Sequence, residues 1–451
     1  MLKRSVREIR LRATLAVEEF IHNEVAGSVL LFAASVSAVV WANSPWANIY
    51  FAIWKKSIGF SAGRFIFSLD LHHWIDDGLM ALFFFVVGLE IKREIFRGEL
   101  SSFRKAALPV AAAIGGVILP AAIYAGLNRS GEASRGWGIP MATDIGFAMG
   151  VLALLGKRIP SGLRVFMLAL AIVDDLCAIL VIALFYTEHI SIEKLGIALA
   201  IVILLWVLLL KNHCKTWAFV ILGTAFWAAI LKSGIHATLA GVVLGLLAPI
   251  EGRFDTAFFT GTMERLQDEF AAGLRAKDMA AMGATLARYK ELIRGTESMA
   301  VRFERSMHPW VVFLVLPLFA LANAGVRLSS GQFRAAIESH VGLGILLGLI
   351  VGKFFGIMLV SLLAVKSGLA AMVEGVNWPL MAGASALAGI GFTVSLFIAG
   401  LAFESDELIS NAKVDIFVAS LISGIIGYLA LRLASRAPEA QDAISAPFDQ
   451  A

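Results

Sequence analysis

The sequence is poor in charge. Only 16% of its 451 residues are charged, whereas 59% are hydrophobic, and soluble domains usually have about 25% charged residues. The apolar segments are too long and too numerous for the core of a soluble protein. We therefore expect an integral membrane protein in contact with the lipid bilayer. The small net charge of +4 gives no reason to expect a nucleic-acid partner.

Cysteine is also scarce. Cys177 and Cys214 lie in different apolar segments, so no disulfide framework beyond one pair can form. No Cys/His cluster has the spacing of a metal site, and the acidic residues lack the spacing of a calcium-binding loop. We expect no cofactor.

Twelve apolar segments predict membrane spans, including a few that are short or rich in glycine. Their ranges are 25–43, 74–92, 106–126, 137–155, 163–187, 193–210, 216–231, 235–250, 309–327, 341–365, 379–402 and 411–433. Lys and Arg are concentrated in the loops on the side of the N-terminus, and such loops are cytoplasmic. The predicted fold is an all-α integral membrane protein with both termini in the cytoplasm.

The loops complete the predicted domain organisation. Residues 45–70 mix β-branched and aromatic residues with small ones, which favours a small extracellular β-hairpin. Residues 251–308 repeat apolar residues at intervals of three and four, which predicts a cytoplasmic insert of two amphipathic helices with weak points at Gly283 and Gly295. The other segments are a retained cytoplasmic N-terminal segment (1–24), transmembrane helices 1–8 (25–250) and 9–12 (309–433), and a disordered cytoplasmic tail (434–451).

Few charged residues lie deep within the predicted spans. They are Asp76, Asp77, Asp144, Asp174, Asp175 and Lys353. Asp174 and Asp175 stand at the middle of span 5, where neighbouring side chains point about 100° apart. A charge at membrane depth is costly, and acids there usually mark ion pathways. The pair predicts a site at which a cation competes with protons; the alternative is two protonated or hydrogen-bonded structural acids.

Span 4 is predicted to be interrupted. Pro140, Thr143 and Gly146 make an unbroken helix unfavourable around Asp144. A broken helix presents a positive N-terminal end at membrane depth, and the Asp144 carboxylate would compensate it. Thr143 could offer an oxygen to a cation. The alternative is that Asp144 is an acid near the membrane edge.

Lys353 lies at the centre of span 10, in the stretch GILLGLIVGKFFGIMLV. From there its side chain cannot easily reach either interface. We expect Lys353 to pair with Asp174 or Asp175, or to balance the negative ends of broken helices. A purely structural counter-ion is the alternative.

Span 11 contains a second candidate interruption, where Gly389 and Gly391 flank Ile390. Spans 3–5 and 10–12 then form two three-span units of opposite orientation, each with an interrupted helix in its middle. Such inverted repeats are typical of secondary transporters, whose binding sites lie near the membrane midplane. We therefore expect two broken helices that cross near the midplane.

Several long motifs make the chain similar to a known family. They are GLEIKREI (88–95), ATDIGFAMGVLALLGKRIP (142–160), LALAIVDDLCAILVIALFYT (168–187), LKSGIHATLAG (231–241), HPWVVFLVLPLFALANAGV (308–326), the Gly352-Lys353 pair and GIGFTVSLFIA (389–399). In this order they resemble the NhaA family of bacterial sodium/proton antiporters over about residues 15–433. That family is itself an established case of inverted-repeat architecture, so the repeat is not an independent indication.

The resemblance implies a secondary active transporter, not an enzyme, that exchanges cytoplasmic Na⁺ or Li⁺ for external protons across the bacterial inner membrane. Asp174 and Asp175 would bind Na⁺ and protons, Asp144 and Thr143 would belong to the crossing helices, and Lys353 would be the partner lysine. Electrogenic, pH-regulated exchange and a homodimer through the 45–70 hairpin are further implications. A cytoplasmic pH-sensing cluster is implied at Glu90, Arg93, Glu94, Glu304, His308 and His236.

Other function classes fit the residues less well. An intramembrane aspartyl protease needs two acids that face each other from separate helices, whereas Asp174 and Asp175 are adjacent and no GxGD sequence is present. A transporter of another solute would need a larger polar pocket than spans 4, 5, 10 and 11 offer. A non-transporting sensor has no support in the sequence. Histidine titrates near physiological pH, but His308 before Pro309 could equally be structural.

Overall fold

A computed structural model of the chain shows a helical protein with one small sheet. It describes residues 24–62, 65–187, 190–211, 214–252, 254–327, 336 and 338–435. The predicted N-terminal segment and most of the predicted tail lie outside the described residues.

The elements follow one another in chain order. The α-helices are α1 (Glu24–Ala42), α2 (Ala47–Trp54), α3 (Leu71–His73), α4 (Met80–Arg97), α5 (Phe103–Leu127), α6 (Ile145–Leu155), α7 (Ser161–Phe185), α8 (Ile192–Leu210), α9 (Thr216–Ser233), α10 (Thr238–Leu247), α11 (Thr256–Ala276), α12 (Met279–Thr296), α13 (Met299–Trp310), α14 (Leu316–Asn323), α15 (His340–Leu347), α16 (Lys353–Lys366), α17 (Trp378–Leu387), α18 (Phe392–Ala402) and α19 (Asp406–Ala434). The strands are β1 (Ser57–Ala62) and β2 (Phe65–Asp70). Short 3₁₀ helices lie at Glu99–Ser101, Glu132–Met141 and Gly156–Arg158, and π-helical turns at Trp74–Leu79, Val311–Val315 and Gly348–Gly352.

Nine helical runs among the described residues are long and apolar enough to cross a membrane, or ten if α17 and α18 form one bent span. The predicted spans 74–92 and 235–250 do not pass this test. α4 ends in the charged stretch EIKREIFR, which lowers its hydropathy, and α10 has only ten residues. The chain is therefore a multi-pass helical membrane protein, and the count of twelve remains a prediction.

The chain divides into two compact units, of which the first comprises residues 1–80, 94–187 and 309–451. In this unit α5 packs against α16 with their backbones almost in contact. A Cβ atom added at Gly115 would overlap the carbonyl oxygen of Gly356, and one added at Gly356 would overlap that of Gly115. Small residues let membrane helices approach this closely, because lipid provides no hydrophobic force between helices.

The predicted hairpin is present in the same unit. β1 and β2 pair antiparallel, with Ser57 opposite Asp70 and Ala62 opposite Phe65. Before the hairpin, the Tyr50 hydroxyl donates a 2.7 Å hydrogen bond to the carbonyl of Leu321. The expectation of a small two-stranded sheet is confirmed.

The second unit comprises residues 81–93 and 188–308. Added Cβ atoms at Gly241 and Gly245 would overlap backbone atoms of the 81–93 segment, so α10 lies directly against that segment. Phe85 and Phe219 each contact the ring of Phe303, which closes an apolar core.

The predicted helical pair of the insert is also present, as α11 and α12. Its turn lies at Lys277 and Asp278, where Lys277 adopts a left-handed φ of 54° and the Asp278 side chain caps α12. α12 continues through Gly283, one of the two predicted weak points. The helix ends at Thr296, beside Gly295.

Candidate ion-binding site

Two interrupted segments stand at the centre of the first unit. The 3₁₀ helix Glu132–Met141 and α6 are separated by the non-helical residues 142–144, and α17 and α18 are separated by residues 388–391 with a bend of 44°. Pro140 precedes the first break, and Gly389 and Gly391 lie within the second, as the sequence predicts.

The two breaks contact each other. The amide of Asp144 donates a 2.6 Å hydrogen bond to the carbonyl of Ile390, and the Thr143 hydroxyl donates one of 2.8 Å to the carbonyl of Ala388. Interrupted helices leave backbone groups without intrahelical partners, which is unfavourable away from water. Here each break satisfies groups of the other.

One carboxylate serves the N-termini of both half-helices. Asp144 Oδ1 accepts a 3.0 Å hydrogen bond from the amide of Phe147 in α6. Asp144 Oδ2 accepts hydrogen bonds from the amide (2.9 Å) and the hydroxyl (2.5 Å) of Thr393 in α18. Because N-terminal amides carry partial positive charge, the carboxylate compensates two helix ends although it is only 2% exposed.

Lys353 and Asp174 form a buried ion pair. Lys353 Nζ donates to Asp174 Oδ2 at 2.5 Å, and the two side chains are 1% and 2% exposed. The pairing left open by the sequence is therefore with Asp174. Asp174 Oδ1 accepts no hydrogen bond from a described residue, although Thr143 is a polar neighbour of this carboxylate.

Asp175 follows Asp174 on α7 and is 3% exposed. Neighbours on a helix diverge by about 100°, so the two carboxylates do not point in the same direction. The region thus combines two buried carboxylates, the free acceptor capacity of Asp174 Oδ1 and the hydroxyl oxygen of Thr143. Oxygen donors of this type suit a hard monovalent cation, and the same carboxylates can bind protons instead.

The proposed pH-sensing residues are divided between the two units. Arg93 and Glu304 form an ion pair within the second unit, with side chains 39% and 15% exposed. In the same unit, His308 lies four residues after Glu304 on α13, Glu90 lies one turn before Arg93 on α4, and His236 lies in the turn between α9 and α10. Glu94 belongs to the first unit, where its carboxylate accepts a 2.9 Å hydrogen bond from the amide of Glu99.

A polar network that sequence reasoning did not find lies at the start of the helix that leads into α4. Asp76 accepts a 2.8 Å hydrogen bond from the Asn323 amide and lies 3.1 Å from His72 Nδ1. Burial alone would lower the pKa of the His72 imidazole, but the hydrogen bond and charge of Asp76 raise it above its ordinary value. His72 and Asp76 stand four residues apart, a helical spacing that could have indicated the contact.

Comparison with known proteins identifies the family of the chain. Residues 18–431 match the model of the family described as Na⁺/H⁺ antiporter 1. The chain is 46% identical over 413 residues to the Na⁺/H⁺ antiporter NhaA of Koribacter versatilis, covering 91% of this chain and 90% of the relative. It is 44% identical over 440 residues to NhaA 2 of Sorangium cellulosum, covering 96% and 93%. The chain belongs to the Na⁺/H⁺ antiporter 1 family.

Proposed function

We propose that this chain exchanges cytoplasmic Na⁺ or Li⁺ for external protons at the site formed by Asp174, Asp175, Thr143 and Lys353. As a member of an antiporter family it is a transporter, not an enzyme, and it moves Na⁺ and H⁺ without a cofactor. The observation that carries the site assignment is the buried Lys353–Asp174 pair, which leaves one carboxylate oxygen free beside Thr143.

Competition for one site is enough to couple the two ions. A cation bound by Asp174 and Asp175 displaces protons, and protons that return displace the cation. A site that holds neither a cation nor protons carries uncompensated carboxylate charge. Because burying that charge is unfavourable, the empty site cannot cross the membrane. The half-helices that meet at Asp144 would let one part of the protein rock around the site, as in other inverted-repeat transporters.

We propose further that exchange is electrogenic and regulated by pH. If two protons are exchanged for each Na⁺, each cycle moves one net charge. The ion pair of Arg93 with Glu304, together with Glu90, Glu94, His236 and His308, is the proposed pH sensor. It is supported by the close pairing of Arg93 with Glu304 within the second unit.

The remaining features of the architecture are proposals as well. They comprise twelve spans in inverted repeats, an inner-membrane location with both termini cytoplasmic, the division at 1–24, 25–250, 251–308, 309–433 and 434–451, and a homodimer through the hairpin region 45–70. The β1–β2 pair supports the dimer contact, because a two-stranded ribbon leaves unpaired edges available to a second copy.

The test is a pH-dye assay in everted membrane vesicles, with sodium, lithium and potassium chloride added in turn at several pH values. We expect sodium or lithium to collapse the respiratory pH gradient. The double variant Asp174→Asn with Asp175→Asn should lose this response, because the amide side chains cannot exchange protons for a cation. Asp268→Asn on the exposed face of α11 is the matched control and should respond as the wild type does.

Two results would contradict the proposal. A wild type that is well folded but gives no cation response at any pH would refute the exchange activity. A double variant that still exchanges sodium at the wild-type rate would leave the activity in place and refute the assignment of the site.

A further inference from the structure

Asp415 is a buried carboxylate that the ion-binding site does not include. It is the tenth residue of α19, and it is missing from the deep charges named from the sequence. Its side chain is 0% exposed, and neither carboxylate oxygen has a hydrogen-bond partner among the described residues. Buried polar groups are nearly always hydrogen-bonded, so an acid with two unpartnered oxygens requires an explanation.

The carboxylate of Asp415 packs against the first turn of α15. A Cβ atom added at Gly342 would lie 2.8 Å from Asp415 Oδ2 and still closer to the carbonyl oxygen of Ala336. The absence of a side chain at Gly342 therefore makes room for the acid. Val326, Ala336 and Val414 form a buried apolar cluster around this place.

Among the described residues, the elements packed against α19 provide no positive charge to stabilise an ionised Asp415, and Lys413 of α19 itself interacts with the charges of Asp76 and Asp406. The main elements packed against α19 are α6, α15, α17, α18 and the turn Gly348–Gly352, and their sequences contain no Asp, Glu, Lys or Arg. His340 at the start of α15 is exposed. The Asp144 carboxylate before α6 accepts hydrogen bonds from the amides of Phe147 and Thr393. Tyr124 of α5 is another titratable neighbour within the described part of the chain, and its hydroxyl donates to the carbonyl of Ala133.

The surroundings of Asp415 favour a proton over a metal cation as the ligand of its carboxylate. A dehydrated Na⁺ needs several oxygen donors. The nearby Ala336 carbonyl already accepts hydrogen bonds from the amide (3.1 Å) and hydroxyl (2.7 Å) of Ser339. A proton needs only the carboxylate itself, and it removes the charge that burial makes unfavourable.

We propose that Asp415 is a proton-binding site, separate from Asp174 and Asp175, that is occupied when α19 and the first turn of α15 are packed together. Loss of the proton requires water or a donor to reach the carboxylate, so the two helices must separate there. The helical run that begins with α15 continues through Gly348–Gly352 into α16, whose first residue is Lys353. Proton binding at Asp415 is thereby linked to the position of the helix that carries Lys353.

The role of Asp415 in transport rests on the proposed exchange, whereas proton binding by Asp415 does not. Proton binding and transport are therefore measured separately. The binding readout is infrared spectroscopy of the purified protein, in which a buried protonated carboxyl gives a carbonyl band distinct from that of a carboxylate. We expect Asp415→Asn to remove one such band present in the wild type at neutral pH. Ser423→Ala, which removes another unpartnered buried polar atom from the same helix, should keep the band.

Hydrogen exchange of the α15 amides tests the link to packing. In the wild type, we expect the protection of His340–Leu347, corrected for intrinsic rates, to fall as the pH rises and Asp415 loses its proton. In Asp415→Asn, whose amide cannot ionise, protection should stay at its acidic-pH level throughout. If that variant does not fold, Asp415→Leu serves the same comparison, since it too lacks an ionisable group.

The vesicle assay then separates the two proposals. If Asp415→Asn still exchanges sodium but with a pH profile different from that of the wild type, the result supports the Asp415 site. Two results would overturn the Asp415 proposal even if sodium exchange is normal. One is that Asp415→Asn keeps the infrared band of the protonated carboxyl. The other is that the protection of the α15 amides depends on pH in the same way in the wild type and in Asp415→Asn. Absence of exchange in the wild type would refute the proposed function but leave the infrared result to decide on Asp415.

Discussion

At the scale of the residue, Lys353 and Asp174 show how far a sequence predicts a buried charge. The central position of Lys353 in an apolar stretch requires an acidic partner, and the sequence predicts this requirement. The sequence does not predict which acid is the partner, because Asp174 and Asp175 differ by about 100° around α7 and either could face the lysine. The packing of α16 decides the choice, and it gives Asp174.

Replacing Lys353 tests how much this pair stabilises the protein. Lys353→Met leaves the Asp174 carboxylate buried beside an apolar side chain. Breaking a buried pair by removing one partner costs about 3–5 kcal/mol, so we expect a clearly lower melting temperature in detergent. The exchange profile should also shift with pH, because Asp174 would then bind protons more readily.

A second variant isolates the charge from the packing. In the double variant Lys353→Met with Asp174→Asn, no unpaired charge remains, and we expect much of the lost thermal stability to return. Exchange should not return, since the site has lost a carboxylate. A double variant no more stable than Lys353→Met would show that the ion pair contributes little to stability.

At the scale of the element, the breaks in the helices are predicted well and their contact is not. Pro140 and the glycines at 389 and 391 identify both interruptions, because proline and glycine weaken a helix locally. The sequence also indicates that Asp144 compensates a helix end. It does not indicate that the same carboxylate caps α18 as well, since Thr393 lies 249 residues away and only tertiary structure joins them.

The shared cap predicts unequal effects of two substitutions. Thr393→Val removes the hydroxyl hydrogen bond to the Asp144 carboxylate but keeps the backbone amide, so we expect a loss of about 1.5–3 kcal/mol. Asp144→Ala leaves the amides of Phe147 and Thr393 without an acceptor and should cost more, because it uncaps both half-helices. Thermal unfolding of both variants checks the order. Equal losses would mean that the carboxylate does not act on two helix ends.

Close packing of α5 and α16 gives a second prediction for an element. Gly356→Leu should prevent the two backbones from meeting at Gly115, and the variant should be strongly destabilised or fail to assemble. Gly126→Leu in α5, the helix that contains Gly115, is the control, because a Cβ atom added there has no neighbour within 4 Å. The yield of folded protein recovered in detergent measures the effect of each variant. Similar yields for the two variants would contradict the contact.

At the scale of the whole molecule, hydropathy predicts most of the helical runs but not their regularity. α10 is too short and α4 too charged to pass as spans on composition. The π-helical turns at Trp74–Leu79, Val311–Val315 and Gly348–Gly352 have no clear sequence signal. They arise where a helix adjusts locally to its neighbours, which is information that periodicity along one segment does not contain.

Stoichiometry is the property of the whole molecule that a transport measurement can decide. If two protons are exchanged for one Na⁺, one net charge crosses in each cycle, and the membrane potential contributes about 2.3 kcal/mol per 100 mV. In proteoliposomes with fixed ion gradients, we therefore expect an imposed potential to shift the sodium gradient at which net flux reverses. The Asp174→Asn with Asp175→Asn variant, which should not exchange, reports the leak. A reversal point that does not move with the potential would mean one-for-one exchange. In that case a single carboxylate would titrate per cycle, while Lys353 would hold the other permanently charged.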